Sequence, residues 1–103
     1  MLRKIRQGDV ILLPSTEIAG EKLPHLTLAE GEVTGHSHRI SDGKAELYER
    51  GGTLYLRVLS QKATLTHEEH KAVQIPQGSW MVRIQREYKP EKRTRQNWRR
   101  TVD

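Results

Sequence analysis

Apolar and polar residues alternate along much of the chain, and this period of two limits what the chain can fold into. In residues 53–59, Leu54, Leu56 and Val58 fall on one face, and Tyr55 and Arg57 fall on the other. The alternation recurs in residues 63–67, 71–75 and 80–86. No twelve-residue window before the C-terminal end has the 3.6-residue period of a helix. The pattern therefore predicts β-strands.

Turn signals divide these segments at intervals typical of antiparallel sheets. The sequences Ser41-Asp-Gly43, Arg50-Gly-Gly52 and Pro76-Gln-Gly78 are each typical of a turn between two strands. Seven or eight short strands with turns every 8–12 residues predict an all-β protein with a single small antiparallel β-barrel or sandwich. An all-β chain this small exposes strand edges, which makes a homo-oligomer through such an edge one possible assembly.

Size and composition exclude several classes of protein. The 103 residues predict one domain. The absence of cysteine excludes disulfides, thiolate catalysis and cysteine-based zinc sites. No run approaches the roughly 20 apolar residues that span a bilayer, and the basic N-terminus lacks the apolar segment of a signal peptide. We therefore expect a cytoplasmic protein with no membrane contact.

The positive charge is concentrated at the C-terminal end. Residues 1–82 contain ten Lys or Arg and ten Asp or Glu, whereas residues 83–103 contain eight basic and three acidic residues. These last residues therefore account for the whole net charge of +5. We interpret residues 1–89 as the β domain and residues 90–103 as a basic C-terminal tail. Clustered arginine is typical of phosphate contacts, although a solvated tail has the same composition.

Four of the five histidines lie in two short clusters, His36-Ser-His38 and His67-Glu-Glu-His70. Two histidines separated by one residue on a strand point to the same face, and His67 continues the face of the preceding apolar residues. If both clusters face one interior, their neutral imidazoles suit a divalent metal ion, with zinc as the first candidate. We predict His36, His38 and His70 as the metal ligands.

The remaining predicted roles concern catalysis and substrate. We assign His67 as a fourth ligand or acid/base group and Glu69 as the base that activates a metal-bound water. The preferred hypothesis is hydrolysis of nucleic-acid phosphodiesters, with RNA ahead of DNA as the partner. Predicted contacts with the nucleic acid come from seven residues: Arg39, Arg86, Arg93, Arg95, Trp98, Arg99 and Arg100.

Other hypotheses fit the same residues. The histidines are also compatible with a metal-free acid/base pair that acts on a ribose 2′-hydroxyl, or with polar residues on loops. The charge asymmetry is equally compatible with a non-catalytic nucleic-acid-binding or assembly module, in which Trp98 stacks on a base.

Three sequence patterns resemble those of a family of small uncharacterised bacterial proteins. They are Gly31-Glu-Val-Thr-Gly-His-Ser-His38, Leu65-Thr-His-Glu-Glu-His70 and Gln85-Arg-Glu-Tyr-x-Pro90. The resemblance runs from Gly8 to Asp103 and implies no particular activity.

A looser resemblance connects the chain with cupins. His36, His38 and either Glu46 or Glu49 are similar to the first cupin motif, and Pro76-Gln-Gly78 is similar to the turn of the second. The chain departs from the cupin pattern because its later histidines precede that turn. The resemblance implies a small β-barrel with histidine ligands, and hence a cupin-like small-molecule metalloenzyme as a further alternative.

Overall fold

The computed structural model describes residues 4–30 and 35–85, which form eight β-strands and, within these ranges, no helix. The strands are β1 (Ile5–Gln7), β2 (Val10–Pro14), β3 (Glu21–Lys22), β4 (Thr27–Glu30), β5 (Ser37–Asp42), β6 (Ala45–Arg50), β7 (Thr53–His67) and β8 (His70–Ile84). The prediction of an all-β fold is confirmed. Residues 90–103, interpreted as a basic tail, lie outside the described residues.

All eight strands belong to one antiparallel sheet that curls into a half-barrel. Its main path runs β1-β2-β8-β7-β5-β4, while β6 pairs with β7 and with β3. Strand β7 pairs with β6 along residues 53–58 and with β5 along residues 64–66. The path ends at β1 and β4, and β3 pairs with β6 alone, so β1, β3 and β4 are edge strands among the described residues. Oligomerisation through such an edge stays a prediction.

The predicted turn at Pro76-Gln-Gly78 is wrong. Strand β8 continues through these residues, and the pairing with β7 shifts register between Val58–Gly78 and Lys62–Pro76. An irregularity of this kind tolerates proline, which has no N–H to donate to a ladder. On β7, the backbone N–H groups of Leu59 and Ser60 both donate to the carbonyl oxygen of Lys44. The sequence predicts two short strands within residues 53–67 and two more from residue 71 onward. The structure instead has one long strand in each region, β7 and β8, with an irregularity between the two halves of the pair.

The core lies on the inner face of the curled sheet and follows the alternation in the sequence. Leu56, Val58, Ala63 and Leu65 are buried on β7, and Trp80 is fully buried on β8. The Trp80 indole N–H donates to the carbonyl oxygen of Pro76 at 3.1 Å, which satisfies its polar atom. Along β7, the same inward face leads from Leu65 to His67 at the end of the strand.

Among the described residues, no helix is long and apolar enough to cross a membrane.

Candidate metal centre

Three chain segments meet at the end of the half-barrel where β7 turns into β8. His67 is the last residue of β7 and His70 the first of β8, and they face each other across the two-residue turn Glu68-Glu69. His38 lies at the start of β5 and His36 directly precedes the strand, and β5 pairs with the same end of β7. The end of β1 adds Gln7, which contacts His38, and the following turn adds Gly8, which lies against His70. Strand pairing thus joins two clusters about thirty residues apart in sequence.

The four imidazoles form one contiguous group with His67 in the middle. Its ring centre lies 5.7 Å from that of His36, 4.3 Å from that of His38 and 4.7 Å from that of His70. The ring centres of His38 and His70 are 5.8 Å apart. Because a Zn–N bond measures about 2.0–2.1 Å, two imidazoles on a tetrahedral ion have ring centres roughly 5 Å apart. The observed separations bracket that value.

Two of the imidazoles and a neighbouring carboxylate lie close enough together to share one ion. His36, His67 and Glu68 each offer a ligand atom, and these atoms all lie within 4.8 Å of one another. This His/His/Glu group could hold a metal ion. Two ring nitrogens with a carboxylate oxygen are donors that zinc accepts.

Gln7 and His38 are the buried polar residues among those that the structure describes. Nδ1 of His38 lies 2.8 Å from Oε1 of Gln7. The Gln7 amide nitrogen donates to the carbonyl oxygens of Leu65 on β7 and Lys71 on β8, each at 2.9 Å. A side chain from β1 therefore links the inner face of β5 with both strands of the β7–β8 hairpin.

The turn residue Glu68 connects the hairpin to β5. Its carboxylate accepts the Ser37 backbone N–H at 3.0 Å and the Arg39 guanidinium at 3.3 Å. Chiefly because of the Ser37 hydrogen bond, the pKa of Glu68 is lowered to about 2. Glu68 is therefore ionised under ordinary conditions, which leaves a fixed negative charge beside the imidazoles.

His67 and His36 have different surroundings. Nδ1 of His67 accepts the Glu69 backbone N–H at 3.0 Å, so the neutral ring carries its proton on Nε2. Nδ1 of His36 is buried and makes no hydrogen bond to any part of the chain that the structure describes. It lies 3.4 Å from the Glu69 carboxylate. A buried ring nitrogen without a hydrogen bond needs a partner such as a proton acceptor, a water or an ion.

Gly8 provides the space that His70 occupies. Its φ is +58°, and a Cβ atom built on it would lie 2.7 Å from Nε2 of His70. Only a residue without a side chain leaves the imidazole in this position. Gly8 therefore leaves room for the His70 imidazole to lie against the β1–β2 turn. The rest of the His70 side chain is exposed.

The predicted ligands His36, His38 and His70 each lie beside His67, the predicted acid/base group, but the ligand atoms within 4.8 Å of one another are those of His36, His67 and Glu68. The carboxylate of Glu69, the predicted base, lies 3.4 Å from Nδ1 of His36, whereas Glu68 offers an oxygen within 4.8 Å of ring nitrogens of both His36 and His67. Gln7 and Gly8 were missed. Each contacts a histidine that lies at least thirty residues away in sequence, so no local pattern pointed to them.

The carboxylate that the cupin resemblance suggested lies elsewhere. Glu46 pairs with Arg57 and Glu49 with Leu54 on β7, ten and thirteen residues before His67, which places both roughly 30–40 Å from His67 along the strand. Glu46 accepts hydrogen bonds there from Tyr48 and Lys22, and that from Tyr48 contributes most to lowering its pKa.

Of the predicted nucleic-acid contacts, the structure describes Arg39 alone. It is half-exposed and pairs with Glu68 at the rim of a recess of about 160 Å³. Arg39, Thr66, His67 and Glu68 line this recess. The other six predicted contacts lie outside the described residues: Arg86, Arg93, Arg95, Trp98, Arg99 and Arg100.

Comparison with known proteins gives a family but no activity. No curated protein and no solved structure matches the chain. A family model described as a domain of unknown function, DUF8820, matches residues 6–85, a range that contains all five histidines. Since the match covers more than half of the 103 residues, the chain belongs to the DUF8820 family.

Proposed function

We propose that this protein binds one divalent transition-metal ion, with zinc as the preferred ion, at the cluster of His36, His38, His67 and His70. The observation that carries the proposal is the contiguous group of imidazoles, whose ring centres lie 4.3–5.7 Å from that of His67. Imidazole is a preferred ligand of zinc, copper, nickel and iron. Oxygen-selecting ions such as Mg²⁺ and Ca²⁺ would instead need several carboxylates.

The hydrogen bonds support a division of roles within the cluster. Nδ1 of His67 already accepts the Glu69 N–H, so the neutral ring carries its proton on Nε2. A metal at Nδ1 would have to displace the Glu69 N–H, and a metal at Nε2 would have to displace the ring proton. We therefore propose His36, His38 and His70 as the ligands, and His36, His67 and Glu68 as the alternative set, since the ligand atoms of the latter lie within 4.8 Å of one another. Three protein ligands leave a fourth position for water, as in catalytic zinc sites.

Isothermal titration of the metal-free protein with zinc tests metal binding. His70→Ala is the test variant and His25→Ala the matched control, because both side chains are exposed and only His70 contacts the cluster. We expect one zinc per wild-type chain, at least a tenfold loss of affinity in His70→Ala, and wild-type affinity in His25→Ala. Equal affinities in both variants, or no binding by the wild type, would contradict the proposal.

The finer proposal is that the ion serves hydrolysis of a phosphodiester in RNA. The recess beside His67 supports it, because the Arg39 guanidinium offers donors for a phosphate next to the imidazoles. The basic C-terminal sequence also suits a polyanion. In the reaction, water forms a bond to phosphorus while the bond to the leaving oxygen breaks. Glu69 accepts a proton from the water, and His67 gives a proton to the leaving oxygen.

Cleavage assays on single-stranded RNA and DNA, with and without chelator, test this step. We expect RNA cleavage that chelator abolishes and that is lost in His67→Ala with zinc still bound. Cleavage that persists in chelator would instead favour a metal-free acid/base pair.

Failure to cleave either nucleic acid, with zinc bound, would favour the non-catalytic nucleic-acid-binding module. In that case binding should weaken steeply with salt and disappear when residues 90–103 are deleted. A zinc-loaded protein that neither cleaves nor binds nucleic acid would point to the cupin-like small-molecule enzyme.

A further inference from the structure

The buried amide of Gln7 contacts all three strands that carry the histidines. It is 4 % exposed at the end of β1, and its three hydrogen-bond partners come from β5, β7 and β8. The amide is tolerated in this buried position because its polar atoms all have hydrogen-bond partners, including the two carbonyl oxygens. The contact with His38 has a further consequence, because it determines which ring nitrogen carries the proton.

The orientation of the Gln7 amide follows from its partners. Leu65 and Lys71 offer carbonyl oxygens, which only accept hydrogen bonds, so the amide NH₂ must face them. The amide oxygen then faces Nδ1 of His38 at 2.8 Å. Because that oxygen only accepts, Nδ1 must carry the hydrogen. The opposite orientation would place an oxygen against two carbonyl oxygens.

We propose that Gln7 is a positioning residue that fixes His38 as the Nδ1–H tautomer, which makes Nε2 the ring nitrogen that carries the lone pair. Glu69 fixes His67 in the opposite tautomer through its backbone N–H. The two neighbouring rings, whose centres are 4.3 Å apart, thus carry their protons on different nitrogens. Metal-ligating histidines commonly donate the other ring N–H in this way, which orients the ring and raises its basicity.

The role of Gln7 as a ligand-orienting residue rests on the proposed metal binding, but the tautomer itself does not. Long-range ¹H–¹⁵N correlation spectra of the metal-free, ¹⁵N-histidine-labelled protein distinguish the protonated from the lone-pair nitrogen of each ring. Spectra at about pH 8 avoid the imidazolium form, since the usual imidazole pKa is about 6.5. We expect His38 to show Nδ1–H and His67 to show Nε2–H. A His38 ring with Nε2–H would overturn the inference without any variant or metal.

Two variants separate positioning from structural support. Gln7→Met removes both the acceptor that faces His38 and the donor that faces the two carbonyl oxygens. Gln7→Glu keeps an acceptor for His38, but its carboxylate cannot donate to Leu65 and Lys71. We expect Gln7→Met to lose the Nδ1–H tautomer and about 10–100-fold in zinc affinity. Gln7→Glu should retain the tautomer and recover most of the affinity, despite its weakened hairpin. Val58→Ala, a core change on the other half of β7, controls for lost stability.

The outcomes also separate this inference from the proposed function. Equal losses of affinity in Gln7→Met, Gln7→Glu and Val58→Ala would reduce Gln7 to a structural residue and overturn the positioning role. An Nδ1–H tautomer in a wild-type protein that binds no zinc would confirm the fixed tautomer, refute metal binding, and so refute His38 as a ligand.

Discussion

Gly8→Ala and Gly51→Ala are a matched pair of substitutions that tests how the β1–β2 turn holds His70. Both glycines have φ of +58°, so alanine imposes the same left-handed backbone strain at each. They differ in their surroundings. A Cβ at Gly51 meets nothing within 4 Å, whereas a Cβ at Gly8 lies 2.7 Å from Nε2 of His70.

The two variants should lose similar stability but differ in metal affinity. Left-handed alanine costs about 1–2 kcal/mol, which corresponds to a fall in melting temperature of very roughly 4–16 °C for a domain of this size. In Gly8→Ala, His70 must also retreat by about 0.7 Å to reach the 3.4 Å of ordinary contact. The exposed ring can swing away at little cost, but metal–ligand bonds tolerate only about 0.2 Å. We expect Gly8→Ala to lose at least tenfold in zinc affinity, about 1.4 kcal/mol.

Thermal unfolding and zinc titration of both variants provide the measurement. Equal melting temperatures with reduced zinc affinity in Gly8→Ala alone would support the reasoning. If Gly8→Ala binds zinc as tightly as Gly51→Ala, the position of His70 against Gly8 does not matter to the site, and the reasoning is refuted.

Three further predictions concern the Glu68 carboxylate, the core residue Trp80 and zinc binding. Because Glu68 has a pKa of about 2 against roughly 4.3 when unfolded, its contribution to stability is present above about pH 4.3 and is lost as the pH falls toward 2. Urea unfolding should thus show a shallower acid loss in Glu68→Gln, and an identical loss would contradict the assignment. Trp80→Ala should cost about 3–5 kcal/mol by denaturant titration, since Trp80 is fully buried; a cost below 1 kcal/mol would contradict its place in the core. Zinc at a thousandfold excess over Kd should add about 4 kcal/mol and raise the melting temperature by roughly 15–30 °C, a shift that chelator should reverse and whose absence would contradict binding to the folded state.

The alternation in the sequence was sufficient for the fold class and for the direction of several side chains. Leu56 and Val58 are buried on β7 as their shared parity predicts, and so are Ala63 and Leu65, which share the opposite parity beyond the register shift. On β5, His38 is buried with Ile40. Parity depends only on the two-residue period of a strand, so it can be read locally. The pairing of β5 with β7, which brings the two histidine clusters together, is a long-range property that parity does not specify.

The parts that sequence reasoning missed depend on distant contacts. Pro76 and Gly78 have the composition of a turn, but pairing with β7 keeps them within β8. Glu68 and Glu69 are identical in sequence terms, and only the Ser37 N–H distinguishes them by binding Glu68. Gln7 is an ordinary polar residue until the fold places it against His38. Backbone donors and buried partners from other strands therefore determine the details of the site.

A crystal of the zinc-soaked protein, measured on both sides of the zinc absorption edge, tests the central claim most directly. The account predicts a single anomalous peak per chain at the end of the β7–β8 hairpin. That peak should lie about 2.0–2.1 Å from ring nitrogens of at least three of His36, His38, His67 and His70. A map with no peak at this cluster, or with zinc bound only at scattered surface residues, would contradict it.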